Sequence, residues 1–218
     1  MMEEGLLDQI TSSIVDGDPD RTLQLTEEAI SAGLSPLRII EEGLTPGMTI
    51  VGDKFGAGEY YLPNLLIAAK AMQGAMGRLE PLLKDSGEEV KSKGIVVIGT
   101  VSGDIHEIGK SLVATMLTAN GFEVHDLGVD VDTEAFVEKV SKLDADILGL
   151  SALLTTTMTR QREVIEALED AGLRERVRVI LGGAPVTAGW SAEIGADGYA
   201  EDAMGAVRLS EGLLQGET

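Results

Sequence analysis

The sequence predicts an α/β protein whose first half is helical and whose second half alternates strands with helices. Two observations predict this. Residues 1 to about 87 carry apolar side chains at three- and four-residue spacing, whereas from Lys93 onward short apolar runs alternate with amphipathic stretches. Composition permits it: 218 residues, 44% of them hydrophobic, can fill two modest cores.

In the first half, four segments have helical periodicity: LLDQITSSIV, DRTLQLTEEAISAG, SPLRIIEEGLTPGMTIVGDKFGAG and LPNLLIAAKAMQGAMGRLEPLL. Gly33 closes the second, Pro36 opens the third, and Pro63 falls in the first turn of the fourth. Short connections between four helices predict a four-helix bundle over residues 1–87. The stretch 84–93, KDSGEEVKSK, has no apolar face and reads as a linker overlapping that boundary.

The second half, 93–218, offers five strand candidates: GIVVIGTV, FEVHDLGV, ADILGLSAL, RVRVILGG and the weaker ADGYA. Helical stretches such as IGKSLVATMLTAN and TRQREVIEALEDAG lie between them, with Gly121 and Gly172 at the expected C-terminal caps. Five βα units predict a doubly wound parallel sheet. The expected strand order is 2-1-3-4-5, the flavodoxin-like (Rossmann-like) arrangement, which sets strands one and three side by side. Ligands of such sheets bind beyond the carboxyl ends of the strands, at that switch point.

Composition narrows the function. A formal charge of −20 disfavours contact with phosphate backbones, so no nucleic-acid partner is expected. The absence of cysteine removes disulfides, thiolate nucleophiles and cysteine-type zinc sites. The acidic start MMEEGLLDQI is unlike a secretory signal, and no apolar run approaches the span of a bilayer. A cytoplasmic protein with no membrane partner is the expectation.

Only two histidines occur, and His106 follows the first strand within GTVSGDIHEIGKSLV. Asp104, His106 and Gly109 lie there; Ser151 and Leu153 lie at the end of the third strand; Gly182 and Gly183 end the fourth. All three groups are expected in one crevice. A loop histidine can offer a ring nitrogen to a metal while a nearby carboxylate holds the other N–H. Each feature alone has an ordinary reading: a solvated histidine, turn glycines, a serine helix cap. Convergence on one crevice favours the functional one.

The series Asp104-x-His106-x-x-Gly109, Ser151-x-Leu153, Gly182-Gly183 resembles the signature of base-off/His-on cobalamin-binding domains. The resemblance implies that His106 is the lower axial ligand of cobalt and Asp104 its hydrogen-bond partner. It implies that Ser151, Leu153, Gly182 and Gly183 line a slot for the displaced nucleotide tail, that Thr157 extends the relay from Asp104, and that Thr155 touches the tail. GADGYAEDA resembles the family segment beside the nucleotide base, which implicates Tyr199 and Ala203.

Residues 46–72, PGMTIVGDKFGAGEYYLPNLLIAAKAM, resemble the cap module of cobalamin-dependent methionine synthase and of the corrinoid proteins of methanogens and acetogens. The matching cap positions are Phe55 and Leu62, which by resemblance cover the upper face of the corrin and keep Co(I) from water and oxidants. Ordinary bundle packing is the plain alternative for this apolar pair.

A cap joined to a cobalamin domain, without a substrate barrel, looks like the corrinoid subunit of a methyltransferase system. The cofactor would be cobalamin or a related corrinoid, alternating between cob(I)alamin and methylcob(III)alamin. The implied partners are a substrate-specific methyltransferase, a second methyltransferase acting on a pterin or thiol, and a reductive activase. Candidate methyl donors are methanol, a methylamine, a betaine or a methoxylated aromatic. By this reading the chain is not catalytic alone. The rivals are a cobalamin-dependent sensor, which would carry a DNA-binding domain ahead of the cap, and the small subunit of an adenosylcobalamin isomerase, which lacks the cap.

Overall fold

In a computed structural model the chain forms two compact units, Met1–Lys91 and Ser92–Thr218. The structure describes residues 2–86 and 92–216. The middle of the expected linker, residues 87–91, lies outside the described residues.

The first unit is helical. Helix α1 (Met2–Val15) is followed by α2 (Pro19–Ser31), which Asp18 caps by accepting the Arg21 N–H, with Pro19 preset for the first turn. The third predicted helix is not one regular helix. It comprises α3 (Pro36–Ile39), a π-helical turn (Ile40–Leu44) and α4 (Thr45–Gly56). Pro46 is the physical reason: inside a regular helix its ring would crowd the carbonyl four residues back, and its missing N–H would leave that carbonyl unpaired. In the wider turn the Thr45 N–H reaches back to the Ile40 carbonyl, and the nearby Gly43 carbonyl accepts the Thr11 hydroxyl at 2.7 Å. Gly47 permits α4 to approach α1 closely, since a Cβ there would lie 2.7 Å from Ile14.

Helix α5 (Leu62–Ser86) runs beyond its predicted end, so the first residues of the expected linker are helical. Leu7, Ile10 and Ile14 of α1, Leu25 of α2, Met48 and Val51 of α4, and Leu65, Met72 and Leu79 of α5 are buried and make the core of this unit. Their three- and four-residue spacing is the periodicity that predicts the helices.

The second unit is a five-stranded, all-parallel sheet in the order β2-β1-β3-β4-β5. Its strands are β1 (Ile95–Thr100), β2 (Glu123–Asp126), β3 (Ile147–Ser151), β4 (Arg178–Gly182) and β5 (Gly198–Tyr199). The helices are α6 (Ile108–Ala119), α7 (Thr133–Leu143), α8 (Thr155–Asp170), the short α9 (Ala188–Glu193) and α10 (Ala203–Gln215). Helix α6 packs with α10 and α7 with α8. The central strands β1 and β3 are almost wholly buried, as expected where helices cover both faces. Ser92 and Lys93 already belong here: Ser92 Oγ accepts the Glu123 N–H, and the Lys93 N–H bonds the Gly121 carbonyl.

Register is what positions the carboxyl ends. Thr100 pairs with Ser151 and Ser151 with Gly182, so β1, β3 and β4 stop level with one another.

Candidate functional site

Beyond Thr100 the chain makes one isolated bridge, Val101 with Val131, and then leaves the sheet. Gly103 turns it at φ +80°, a left-handed conformation that costs glycine little. The turn sends Asp104 back under the loop, where it is 1% exposed.

A buried carboxylate needs partners, and Asp104 has them on both oxygens. Oδ1 lies 2.7 Å from His106 Nδ1 and accepts the His106 backbone N–H at 3.1 Å. Oδ2 accepts the Thr157 hydroxyl at 2.7 Å, the Leu153 N–H at 2.7 Å and the Leu154 N–H at 3.3 Å. Burial by itself pushes the carboxyl pKa up. The bonds from Thr157, Leu153 and His106 outweigh it and hold the group well below the usual carboxylate range. Asp104 is therefore an anion that only accepts, so His106 Nδ1 is the donor of their shared bond and Nε2 is the ring nitrogen left without a partner among the described residues.

The imidazole side chain is 47% exposed. Thr100, at 0% exposure, donates its hydroxyl to the His106 carbonyl at 2.9 Å and fixes the backbone from below. The arrangement presents one oriented ring nitrogen, Nε2. Among the described residues there is no cluster of three or more histidine and carboxylate side chains placed for a metal ion. A metal held by His106 would have to bring most of its other ligands with it.

The other predicted residues are placed unevenly. Leu153 meets Asp104 through its backbone, and its side chain is exposed. Ser151 ends β3, and among the described residues its hydroxyl has no bond; it does not cap α8, whose N-cap residue is Leu154. Thr155 is exposed at the start of α8. Gly109 lies in the first turn of α6, with open space where a Cβ would be. The two glycines of the pair differ. A Cβ on Gly183 would fall 1.8 Å from the Ala152 carbonyl, so backbone packing alone demands glycine, whereas at Gly182 the nearest atom, the Ala200 carbonyl, is 3.7 Å away. Tyr199 is half-buried in β5, and Ala203 is buried at the start of α10.

In the helical unit, Phe55 is half-buried near the end of α4, and Leu62 is exposed at the start of α5. Neither belongs to the buried core of the bundle.

Sequence reasoning missed an apolar rim. Ile105, Ile108 and Leu154 are exposed beside Asp104, His106 and Leu153. Isoleucines on either side of a loop histidine were the available signal, since water-facing loops rarely gather them. Gln161 was missed too. Buried at 0% exposure, it donates to the carbonyls of Leu150 (3.0 Å) and Gly182 (3.4 Å) and accepts the Trp190 Nε1–H at 3.0 Å, tying the ends of β3 and β4 together.

A family described as B12 binding domain matches residues 94–208, and a second family of the same description matches residues 6–80. The chain is 47% identical over 215 residues to dimethylamine corrinoid protein 2 of Methanosarcina acetivorans, covering 99% of each chain. Among solved structures it is similar to the methanol:cobalamin methyltransferase complex of Methanosarcina barkeri, with TM-score 0.88, 32% identity, and coverage of 98% of this chain and 81% of that one. It is also similar to a cobalamin-binding protein of Desulfitobacterium hafniense, with TM-score 0.76, 32% identity, and coverage of 97% and 98%.

Proposed function

The chain belongs to the corrinoid proteins with B12-binding domains, and from that premise we propose that it carries a methyl group, on a bound corrinoid, between two methyltransferases. One is specific for the methyl donor; the other serves a pterin or thiol acceptor, and a reductive activase restores the carrier. When bound, the corrinoid supplies a cobalt centre able to accept and release methyl groups.

One observation carries this reading: the chain Thr157–Asp104–His106, which holds the imidazole by Nδ1 and leaves Nε2 without a partner among the described residues. It fits a metal arriving in a macrocycle, because a single protein ligand is then enough. The exposed apolar residues Ile105, Ile108, Leu153 and Leu154 fit the broad, largely apolar face of such a ring.

In this proposal His106 would hold the cobalt of the bound corrinoid through its Nε2. Asp104 sets its tautomer and strengthens its basicity, and Thr157 holds Asp104 in place. Ser151, Leu153, Thr155, Gly182 and Gly183 line the nucleotide-tail slot, with Gly109, Tyr199 and Ala203 beside it. The unbonded Ser151 hydroxyl and the space at Gly182 support that part. Phe55 and Leu62 shield the upper face; their position outside the bundle core supports a role other than packing. A sensor is not favoured, since a relative covered over 99% of its length is a dimethylamine corrinoid protein. No helix among the described residues is long and apolar enough to cross a membrane.

The test is reconstitution with cobalamin. The expected visible spectrum is that of the histidine-ligated, base-off form, and methyl transfer is expected only when both methyltransferases are added. The spectrum of free, base-on cobalamin, or transfer by the protein alone, overturns the proposal.

A further inference from the structure

Resting on the reading of His106 as a cobalt ligand, we propose that Asp130, in the turn after β2, is a positioning residue that locks the His106 loop into its ligating geometry. Asp130 is a non-glycine residue at φ +53°, the left-handed region that side chains other than asparagine and aspartate rarely adopt. Backbone conformations of this kind persist where the surroundings hold them, and here the holding contacts all lead to the His106 loop.

The Asp130 carboxylate Oδ1 accepts the Gly103 N–H at 2.7 Å, and the Asp130 N–H donates to the Asp104 carbonyl at 2.9 Å. One residue thus grips both sides of the tight turn Gly103–Asp104, the latter being the residue that orients the imidazole. The same segment makes further ties. The Thr100 N–H bonds the Gly128 carbonyl, and the Val131 N–H bonds the Thr100 carbonyl. Beyond the histidine, the buried Lys110 of α6 pairs with Asp126 at the end of β2. Residues 126–131 therefore clamp the loop before and after His106, and the β2–α7 turn acts as its backing plate.

The carboxylate does two separable things: it occupies a left-handed position, and it supplies an acceptor. Asp130→Asn keeps both, because asparagine tolerates that conformation and retains Oδ1. Asp130→Gly adopts the left-handed conformation without strain but removes the acceptor and frees the turn, so it reports the loss of the side chain's hold on Gly103. Both sites are exposed to solvent, which limits the effect.

The apo-protein is examined by amide hydrogen exchange at Gly103 and by nitrogen NMR of the His106 ring; the cobalamin-loaded protein is examined by visible spectrum and corrinoid dissociation. In Asp130→Gly, Gly103 exchange and corrinoid dissociation should each rise about fivefold, with a mixed His106 tautomer and a smaller histidine-ligated fraction. Asp130→Asn should stay within about twofold of the parent on the same scale. A parent-like Asp130→Gly variant overturns the proposal, as does an Asp130→Asn variant as impaired as the glycine one. His106→Ala separates the two layers: if that variant keeps the parental spectrum, the ligand reading fails, whereas the exchange and tautomer results in apo-protein judge Asp130 without it.

Discussion

The loop after β1 and the edge strand β2 each place a carboxylate two residues before a histidine. In the loop, Asp104 meets His106 Nδ1 at 2.7 Å; on the strand, Glu123 meets His125 Nε2 at 2.8 Å. As pairs the two are nearly equal. They differ behind the carboxylate. The Asp104 side chain is fully buried and accepts three further bonds from Thr157, Leu153 and Leu154, while the Glu123 side chain is 54% exposed and, among the described residues, has no side-chain partner other than His125. On β2 the pairing is a consequence of strand geometry, which puts alternate side chains on one face. A carboxylate two residues from a histidine becomes an orienting device only when the fold takes away its other choices.

That difference is best broken at the histidines. His106→Ala should abolish the histidine-ligated spectrum of the cobalamin-loaded protein and weaken corrinoid retention by about tenfold or more. His125→Ala should leave both unchanged. Equal behaviour of the two variants would erase the distinction.

Asp104→Asn comes next. Its amide would turn donor against donor at Thr157, Leu153 or His106, and should cost about 2 kcal/mol of stability and about tenfold in corrinoid affinity. Acid adds a second signature in apo-protein. The Asp104 carboxyl titrates far lower in the fold than its value of about 4 in an unfolded chain. The unfolded state then binds more protons, so the contribution is complete above about pH 4 and is lost as the pH falls toward the folded value. Denaturant unfolding at successively lower pH should show a steeper decline for the parent than for Asp104→Asn.

A smaller effect is expected from Thr157→Val, which keeps the shape but removes one bond to Asp104. About 1 kcal/mol of stability and about threefold in corrinoid affinity should be lost, by thermal melts and dissociation rates. Glu123→Gln should be the smallest, with retention and spectrum within about twofold of the parent, since its partner pair is screened by water.

The strand order was legible in the sequence because it rests on local pattern, and the chain Asp104–His106–Thr157 was legible through the family resemblance that the spaced motif carries. Alternating strand and helix periods leave few parallel topologies, and the spaced motif names its own members. The π-helical turn at Ile40–Leu44 was not legible from periodicity: a widened turn keeps the apolar stripe nearly intact while changing the hydrogen bonds. Thr100 and Asp130 carried no signal either. A threonine ending a strand and an aspartate in a turn are ordinary until register brings the first under the His106 carbonyl and the second against Gly103.

By itself the sequence determined the two halves, the order of the strands and the small set of polar residues available beyond their carboxyl ends. These follow from side-chain chemistry and short-range periodicity, which any stretch of chain carries with it. Only the tertiary structure decided which carboxylate is buried, which glycine is required by a neighbouring carbonyl, and which histidine is held by a carboxylate that is itself fixed. Asp104 and Glu123, like Gly182 and Gly183, are alike in one dimension. They are separated by what packs against them from residues distant in the chain: Thr157 on the carboxylate of Asp104 and Ala152 against Gly183. Desolvation and steric exclusion act through such neighbours, and the linear order does not contain them.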